Sequence, residues 1–481
     1  MNNKENLEVL VRADEIDVEL VEANPWWRDP HGWERRDVQL RVARTSPLAY
    51  EPRPLDDMSP GGLYILRGPR RVGKSTALKQ VVAERIRSGH SPRRILHVSV
   101  EGRSDQDVVD IVRRGSDQWL EGLPGERLWV IDEITGVHGS WPPMIKRLRD
   151  SHPSFSADTV VLTGSSSAKF DEARKLLAGR RNATRSDRVL FQMGFVEVAS
   201  ALGVELPPSP NLNVSDLADD DTMEAVVSEY RPWVPALIDS WDHYLRIGGY
   251  PQAVAAEIAP SDQKDRALFE ALWDVIHGDA FAGSGLTQTQ TQAILRSLTS
   301  SLASLLSVHA VAQTVNIATG TAEQRLDALR RAFVAFPVHR EQGLAPKPRS
   351  QSKWYFTDPN LARIASKFGA GTPPDPTVLS EQQLALSALR ALEHQSPGAA
   401  MRHDRLLYYR SATRAEIDFV SAEFTATCIE SKFVDRGWGR AFQTIGASGR
   451  STGIVATRSG VQRHEVGWAL PAGLIAYLLR S

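Results

Sequence analysis

The stretch from Gly61 to Leu78, GGLYILRGPRRVGKSTAL, joins an apolar run to a glycine-rich loop and a helix-like segment. Between Gly68 and Ser75 it has the spacing G-x-x-x-x-G-K-S, which is typical of a phosphate-binding loop when a strand precedes it and a helix follows. Glycines let backbone N–H groups approach phosphates, the lysine neutralises the β- and γ-phosphates, and the serine hydroxyl reaches Mg²⁺. We therefore expect an ATP site that contains Gly68, Arg71, Val72, Gly73, Lys74, Ser75 and Thr76.

A second apolar run, LWVI at residues 128–131, ends in the two carboxylates Asp132 and Glu133. Asp132 is placed to hold Mg²⁺ together with Ser75, and Glu133 is placed to polarise the attacking water. Catalytic roles are therefore predicted for Lys74 and Glu133. The adjacent Asp-Glu pair favours ATP hydrolysis over phosphoryl transfer to a small-molecule acceptor.

Two further groups are candidates for contacts with the γ-phosphate. Ser165 lies in the polar stretch at residues 163–167 in which the run VVLTG ends, although a serine cluster of this kind also caps helices. Arg180 and Arg181 follow the segment FDEARKLLAG and could complete the site as an arginine finger; ordinary surface charge is the alternative. We expect Arg180 to act from a neighbouring subunit, which predicts a homo-oligomer.

The surrounding sequence predicts an α/β fold with a parallel sheet. Runs of β-forming residues at 62–68, 94–100, 127–133 and 158–164 are each followed by a helix-length segment, which is the rhythm of a parallel sheet wrapped by helices. The sequence from residue 223 to about 331 is predicted to be mostly helical. Within residues 301–333, helical spacing and a turn expected at Gly320 suggest a helix-turn-helix.

Composition limits the class of protein. The chain has 481 residues, with 57 basic and 58 acidic side chains and a single cysteine. These values indicate about three folded domains, and they argue against a disulfide framework and a multi-cysteine zinc site. We see neither a long apolar run nor a secretory signal, so we expect a cytoplasmic protein without a membrane span. Three tryptophans at residues 26–33 are expected to pack onto a later domain, since tryptophan is usually buried; an exposed peptide-docking site is the alternative.

Several motifs along the chain point to a known family. They are GPRRVGKST, VIDEI, LTGSSS, LLAGR, YLRIGGYPQAV at residues 244–254, KWYFTDPNLARI at 353–364, and EIDFV and IESKF near the end. With these motifs the chain resembles prokaryotic AAA-type (P-loop) ATPases with a C-terminal domain of unknown function. The resemblance implies a P-loop parallel sheet followed by a helical lid, a winged helix and a restriction-nuclease-like α/β domain of the PD-(D/E)xK type. The implied domains are a tryptophan-rich strap at 1–52, an ATPase core at 53–200, a lid or insertion at 201–300, a winged-helix region at 301–372 and a nuclease-like domain at 373–481. The text after LLAGR, RNATRSDRVLFQMGF, departs from this family, which leaves the placement of Arg180 open.

The C-terminal region carries a second set of candidate catalytic residues. Asp418 ends one apolar run, and Glu430 and Lys432 follow at the D…E-x-K spacing of metal-dependent nucleases. Asp418 and Glu430 would bind a second Mg²⁺ or Mn²⁺, Lys432 would stabilise the phosphate, and Glu381 would supply a third acid. From residue 401 onward, basic side chains outnumber acidic ones, which suits a phosphate backbone.

Two functions remain open at this stage. The first is an ATPase that acts on DNA through a winged helix and a nuclease-like domain. The second is an ATP-driven switch that binds a protein partner and uses a catalytically inactive nuclease-like domain for docking. Acidic residues beside the arginines of the expected recognition helix leave DNA reading and protein packing about equally supported.

Overall fold

The computed structural model describes residues 15–164, 170–209, 212, 214–260, 262–281, 284–395 and 405–479. Its chain divides into two compact units, with the division after Leu190. We describe each unit separately. Over the described residues, no helix combines the length and the apolar character needed to cross a membrane.

Unit 1 contains five parallel strands with helices between them. The expected parallel sheet is confirmed, and all four predicted runs form strands. In spatial order the strands run β2-β3-β4-β1-β5, so β4 separates the strand before the glycine loop from the strand that ends in Asp132. The strands are β1 (Leu63–Arg67), β2 (Ile95–Ser99), β3 (Leu128–Asp132), β4 (Thr159–Gly164) and β5 (Asp187–Val189). The helices are α1 (Trp33–Arg36), α2 (Val38–Thr45), α3 (Lys74–Arg87), α4 (Asp105–Arg114), α5 (Trp141–Ser151), α6 (Pro153–Ala157) and α7 (Phe170–Leu176).

The outer edge of strand β2 is covered by side chains from the N-terminal segment. Asn24 donates to the carbonyl oxygen of His97 at 2.9 Å and accepts from its N–H at 2.7 Å. The indole N–H groups of Trp26 and Trp27 both donate to the carbonyl oxygen of Ile95. These tryptophans are buried, as expected from the sequence. The segment thus satisfies polar groups of an edge strand that would otherwise be open to pairing with another chain.

Unit 2 begins with a series of helices, and further helices lie between and after its strands. They are α8 (Phe195–Ala201), α9 (Asp220–Tyr230), α10 (Val234–Ile247), α11 (Pro251–Ile258), α12 (Asp262–Ala280), α13 (Gln288–Ser300), α14 (Val308–Val315), α15 (Thr319–Arg331), α16 (Pro359–Phe368), α17 (Pro376–Gln395), α18 (Gly439–Ala447) and α19 (Ala472–Leu478). The turn expected at Gly320 is wrong, because Gly320 lies inside α15. The turn is made instead by Asn316, which ends α14 in the left-handed conformation with φ 58°, a conformation that asparagine tolerates better than most residues.

A mixed ten-stranded sheet forms the rest of unit 2. Its main path runs β14-β15-β13-β12-β11-β10-β7-β9-β6, and β8 pairs with β7. Strand β10 lies parallel to β7, so strands on both sides of the proline-rich stretch at residues 369–376 belong to one sheet. The strands are β6 (Leu305–Leu306), β7 (Ala335–Gln342), β8 (Ala345–Pro346), β9 (Ser352–Phe356), β10 (Leu407–Arg410), β11 (Glu416–Val420), β12 (Ile429–Ser431), β13 (Gly453–Thr457), β14 (Gln462–His464) and β15 (Gly467–Pro471).

Replacing Asn24 with alanine tests the role of the N-terminal segment. The change leaves the N–H and the carbonyl group of His97 buried without their partner, and each such group costs about 1–3 kcal/mol. We expect the free energy of opening of the β2 amides, measured by hydrogen exchange, to fall by roughly 2–4 kcal/mol. Val42→Ala, at an exposed position of α2, is the control and should leave it unchanged. Unchanged exchange in Asn24→Ala would contradict this role.

Candidate functional site

The glycine-rich loop lies between β1 and α3 and depends on two backbone conformations. Gly68 has φ 149°, and a Cβ atom there would lie 2.0 Å from the carbonyl oxygen of Leu190, so no other residue fits. Gly73 has φ 95° and precedes the first residue of α3. Arg71 is exposed, with φ 67°, and Val72 is buried beneath the loop. The loop therefore places backbone N–H groups at the amino end of a helix, where anions bind favourably.

Lys74 and Ser75 begin helix α3 and face the inside of the loop region. The Lys74 ammonium group is nearly buried and donates to the carbonyl oxygens of Gly68 and Pro69 at 2.9 and 2.8 Å. The Ser75 hydroxyl donates to Asp132 Oδ2 at 3.1 Å, and Thr76 follows in the first turn of α3. Two of the residues predicted to bind Mg²⁺, Ser75 and Asp132, are thus within hydrogen-bonding distance of each other.

Asp132 is buried at the carboxyl end of β3 and has a second hydroxyl partner. Its Oδ1 atom accepts from the Thr163 hydroxyl on β4 and, at 3.0 Å, from the Glu133 N–H. Glu133 has φ 54°, a left-handed conformation that is costly for a residue other than glycine. The N–H bond to Asp132 therefore ties the backbone of Glu133 to that carboxylate. Thr163 was not among the predicted site residues, although it is the first residue of the polar stretch at residues 163–167.

His97 on β2 is another residue that the sequence did not indicate. Its Nε2 atom lies 3.9 Å from Asp132 Oδ2. Burial lowers the pKa of His97 below its usual range, although the nearby Asp132 carboxylate opposes this shift. The imidazole is therefore neutral at physiological pH. A histidine in the middle of an otherwise apolar strand, next to the strand that carries Asp132, was the available signal.

The remaining candidates of the ATP site lie elsewhere. Ser165 falls outside the described residues. Arg180 pairs with Asp150 on the surface, and Arg181 pairs with Asp187 at 2.9 Å. The backbone carbonyl of Arg181 accepts from the N–H of Leu63, the first residue of β1. Both arginines thus lie at the amino ends of the strands, whereas the glycine loop lies at their carboxyl ends. Arg180 could therefore reach a phosphate only in another copy of the chain.

Asp418, Glu430 and Lys432 come together in unit 2, as predicted. Asp418 on β11 accepts the Ser431 N–H through Oδ2 at 2.8 Å, and the Asp418 N–H donates to Glu430 Oε2 at 3.0 Å. The Lys432 ammonium lies 2.6 Å from Glu430 Oε1, and its side chain is 45% exposed. The two carboxylates therefore occupy one face where β11 and β12 pair.

A buried lysine, Lys353 on β9, completes this group and was missed. Its ammonium lies 2.5 Å from Asp418 Oδ1, 2.8 Å from Glu416 Oε1 and 3.3 Å from Glu381 Oε1. Tyr355 donates to the same Glu381 oxygen at 2.6 Å. We call Lys353, Glu381, Glu416, Asp418, Glu430 and Lys432 the Lys353 cluster. Lysine is almost never fully buried without a charged partner, so its place in the buried run SKWYF was the available signal.

Charges within the cluster shift the acidity of its members. Burial raises the pKa of Glu430 to about 8 and of Glu381 to about 7, and the Asp418 carboxylate adds to both shifts. Burial opposes ionisation of Asp418 too, but the ammonium groups of Lys353 and Lys432 outweigh it and hold the pKa of Asp418 below its usual range. Asp418 is therefore the ionised partner of Lys353.

The two predicted metal sites differ in how well their residues fit a cation. In unit 1, a hydroxyl and a carboxylate meet beside the glycine loop, which is the oxygen-rich set that Mg²⁺ prefers. In the Lys353 cluster, an ammonium group already contacts the carboxylates. Among the described residues, no group of three or more His, Cys, Asp or Glu side chains is arranged to hold a metal ion. Because the Lys353 ammonium already lies within reach of both the Asp418 and the Glu381 carboxylates, the cluster does not fit the second Mg²⁺ or Mn²⁺ that the sequence predicts.

Comparison with known proteins gives two family matches. An AAA domain family matches residues 61–199, and a domain of unknown function matches residues 238–372. Residues 61–199 are thus similar to AAA domains. An uncharacterized protein from Methanocaldococcus jannaschii is 22% identical in an alignment 306 residues long that covers 61% of this chain. The match spans 60% of the length of that curated relative.

Several solved structures also show similarity at low identity. The ORC2 protein of Aeropyrum pernix, in complexes with ADPNP and ADP, is 12% identical, with a TM-score of 0.32 over 64% of this chain and 88% of that chain. Cdc6p from Pyrobaculum aerophilum is 12% identical, with a TM-score of 0.24 over 71% of this chain and 94% of that chain. RuvB from Thermotoga maritima is 14% identical, with a TM-score of 0.23 over 61% of this chain and 84% of that chain.

The raised pKa of Glu430 predicts a pH dependence of the stability of unit 2. A carboxyl whose pKa is about 8 when folded, against 4.5 ordinarily, binds its proton more tightly in the folded state. Its contribution to stability is therefore complete below pH 4.5 and is lost as the pH rises to about 8. We expect the unfolding midpoint of unit 2, measured by calorimetry, to fall over this pH range, and to fall less in Glu430→Gln.

The control for this measurement is Glu465→Gln, at an exposed position of the same domain. It should keep the full pH dependence of the wild type. If Glu430→Gln keeps it as well, Glu430 is not the group responsible.

Proposed function

We propose that this chain binds ATP with Mg²⁺ and hydrolyses it. The observation that carries the proposal is the meeting of Ser75, Asp132 and Thr163 beside the glycine loop, at the carboxyl edge of a parallel sheet. Ligands of open parallel sheets bind at this edge. The match of residues 61–199 to the AAA domain family supports the same proposal.

Each side chain has a distinct role in this proposal. Lys74 would exchange its two carbonyl partners for the β- and γ-phosphates, and the amino end of α3 would add N–H donors. Ser75 and Asp132 would hold Mg²⁺, which supplies positive charge to the phosphate oxygens. Glu133 would accept a proton from the attacking water, and Thr163 would orient Asp132.

Arg180 enters the proposal only through a second copy of the chain. Because Arg180 lies at the amino ends of the strands, the ATP site of its own chain lacks this arginine. We propose that a homo-oligomer forms during turnover and that Arg180 then exchanges Asp150 for a phosphate of a neighbouring copy. Arg181 is committed to Asp187 and is not part of the proposal.

DNA is the proposed partner of the ATPase, and a protein-binding switch is the alternative. The helices α14 and α15 and the β7–β9 hairpin support a winged-helix region, but the arginines of α15 are engaged within the chain. Arg330 and Arg331 both pair with Asp327, and Arg325 donates to the carbonyl oxygen of Ala280. A major-groove contact through this helix is therefore not favoured.

The segment after β12 offers a better surface for a phosphate backbone. Lys432 is partly exposed and pairs with Glu430, whereas the guanidinium groups of Arg436 and Arg440 are exposed and have no hydrogen-bond or ion-pair partner among the described residues. By contrast, Arg458 and Arg463 of the same domain pair with Asp242 and with Asp220 and Glu224. Unpaired arginines close together in sequence suit a non-specific contact with phosphates. We propose that this segment binds DNA and that the nuclease-like fold serves for docking.

Two substitutions test the ATP site. In Lys74→Ala the charge on the phosphates is lost, and ATP should bind at least about 30-fold more weakly. In Glu133→Gln the shape is kept and the base is lost, so ATP should still bind while kcat falls by about 10²–10⁴-fold. Binding is measured with a fluorescent ATP analogue and turnover by phosphate release. Glu84→Gln, exposed on α3, is the control and should behave as the wild type; unchanged turnover in Glu133→Gln would contradict the assigned role.

The DNA proposal is tested with a double substitution, Arg436→Ala with Arg440→Ala. Two phosphate contacts are removed, so the slope of log K against log salt should decrease by about two for duplex DNA. Stimulation of ATP hydrolysis by DNA should fall in parallel. The matched control is Arg458→Ala with Arg463→Ala, which removes two paired arginines from the same domain and should leave binding nearly unchanged. A wild-type protein whose hydrolysis and binding ignore DNA would favour the protein-binding switch.

A further inference from the structure

The ammonium group of Lys353 is matched to carboxylates on every side. It has three N–H donors, and three carboxylate oxygens, from Asp418, Glu416 and Glu381, lie between 2.5 and 3.3 Å from it. Its side chain is only 2% exposed. The acids come from two elements, β11 and α17, so one cation joins a strand of the sheet to a long buried helix.

The oxygens of Asp418 and Glu430 are also all engaged. The two Asp418 oxygens accept from Lys353 and from the Ser431 N–H, and the two Glu430 oxygens contact Lys432 and the Asp418 N–H. A divalent ion shared by Asp418 and Glu381 would have to occupy the space of the Lys353 ammonium, because the same two acids direct an oxygen at it. Metal and lysine therefore exclude each other.

The backbone holds Lys353 in this place. It lies in the buried strand β9, paired to Val338 on one side and to Leu305 on the other. Moving its ammonium away would leave the buried Asp418 and Glu381 carboxyl groups without this cation, and an uncompensated charge in the protein interior is strongly destabilising. An incoming metal would have to meet this cost in addition to its own dehydration.

We propose that Lys353 is the resident cation of the cluster, so that the C-terminal domain folds without a divalent metal and does not use Asp418, Glu430 and Lys432 to cleave phosphodiesters. The cluster is then a structural ion network that ties β9, β11 and α17 together. This inference does not rest on ATP hydrolysis, since it concerns residues of unit 2 only.

Binding of Mn²⁺ to the nucleotide-free protein tests the proposal. Electron paramagnetic resonance measures free Mn²⁺ directly and needs no enzymatic activity. We expect the wild type to bind no Mn²⁺ at Asp418. The amount of bound Mn²⁺ should therefore be the same in the wild type and in Asp418→Asn. One Mn²⁺ per chain that disappears in Asp418→Asn would overturn the proposal. The wild-type measurement decides the matter even if a lysine variant fails to fold.

Removing the lysine provides the second measurement. In Lys353→Ala the carboxylates lose their cation and a space opens between them, so Mn²⁺ should bind at least tenfold more tightly than in the wild type. Added Mn²⁺ should also restore slow hydrogen exchange at the β11 and β12 amides. The control is Lys347→Ala, an exposed lysine of the same unit, which should resemble the wild type. A folded Lys353→Ala protein that gains no Mn²⁺ binding would show that the lysine is not what excludes the metal. ATP turnover, measured in parallel, separates this result from any failure of the ATP site.

Discussion

The hydrogen bonds of the Asp132 carboxylate are the constraint on which the nucleotide site depends. They connect β3, which carries the carboxylate, to Ser75 on α3 and to Thr163 on β4. Strand β4 lies between β1 and β3, so the glycine loop and the two acids start about 10 Å apart, two strand spacings. The first turn of α3 spans this gap. A parallel sheet alone would bring these groups to the same edge, but the two hydroxyls fix the distance between the loop and the carboxylate.

The same carboxylate connects the site to the N-terminal segment. Asn24 holds the backbone of His97 on both its polar groups, and the imidazole of His97 lies 3.9 Å from Asp132. A neutral imidazole at that distance fills space without attracting the carboxylate away from Ser75. Covering the edge of β2 therefore serves two purposes, because it prevents pairing with another chain and keeps a wall of the nucleotide site in place.

The sequence predicted what depends on short-range pattern. The glycine loop, Asp132 and the parallel strands are set by residues next to each other in the chain, and the structure places them as expected. The carboxylate partners of Lys353 could not be predicted, because they lie 28 to 65 residues away and strands β7 and β10 separate β9 from β11. The turn was misplaced at Gly320 because an asparagine, Asn316, and not the glycine adopts the left-handed conformation. The partner of Arg180 was equally hidden, since its pairing with Asp150 joins the bend after α7 to the last turn of α5, 30 residues apart in the chain.

Two buried aspartates, Asp132 at the end of β3 and Asp418 in the middle of β11, thus have different capacities, although both were predicted to bind metal. Asp132 is held by hydroxyl groups, which are neutral and can turn toward a new partner without leaving a charge behind. Asp418 is held by an ammonium group, whose departure would leave an unpaired cation and would remove that cation from the buried Asp418 and Glu381. Burial makes this difference decisive, because the cost of an unpaired charge is far larger in the interior than at the surface. A carboxylate motif read from sequence therefore identifies a cation site, while the partners contributed by distant strands determine whether that cation is a metal or a lysine.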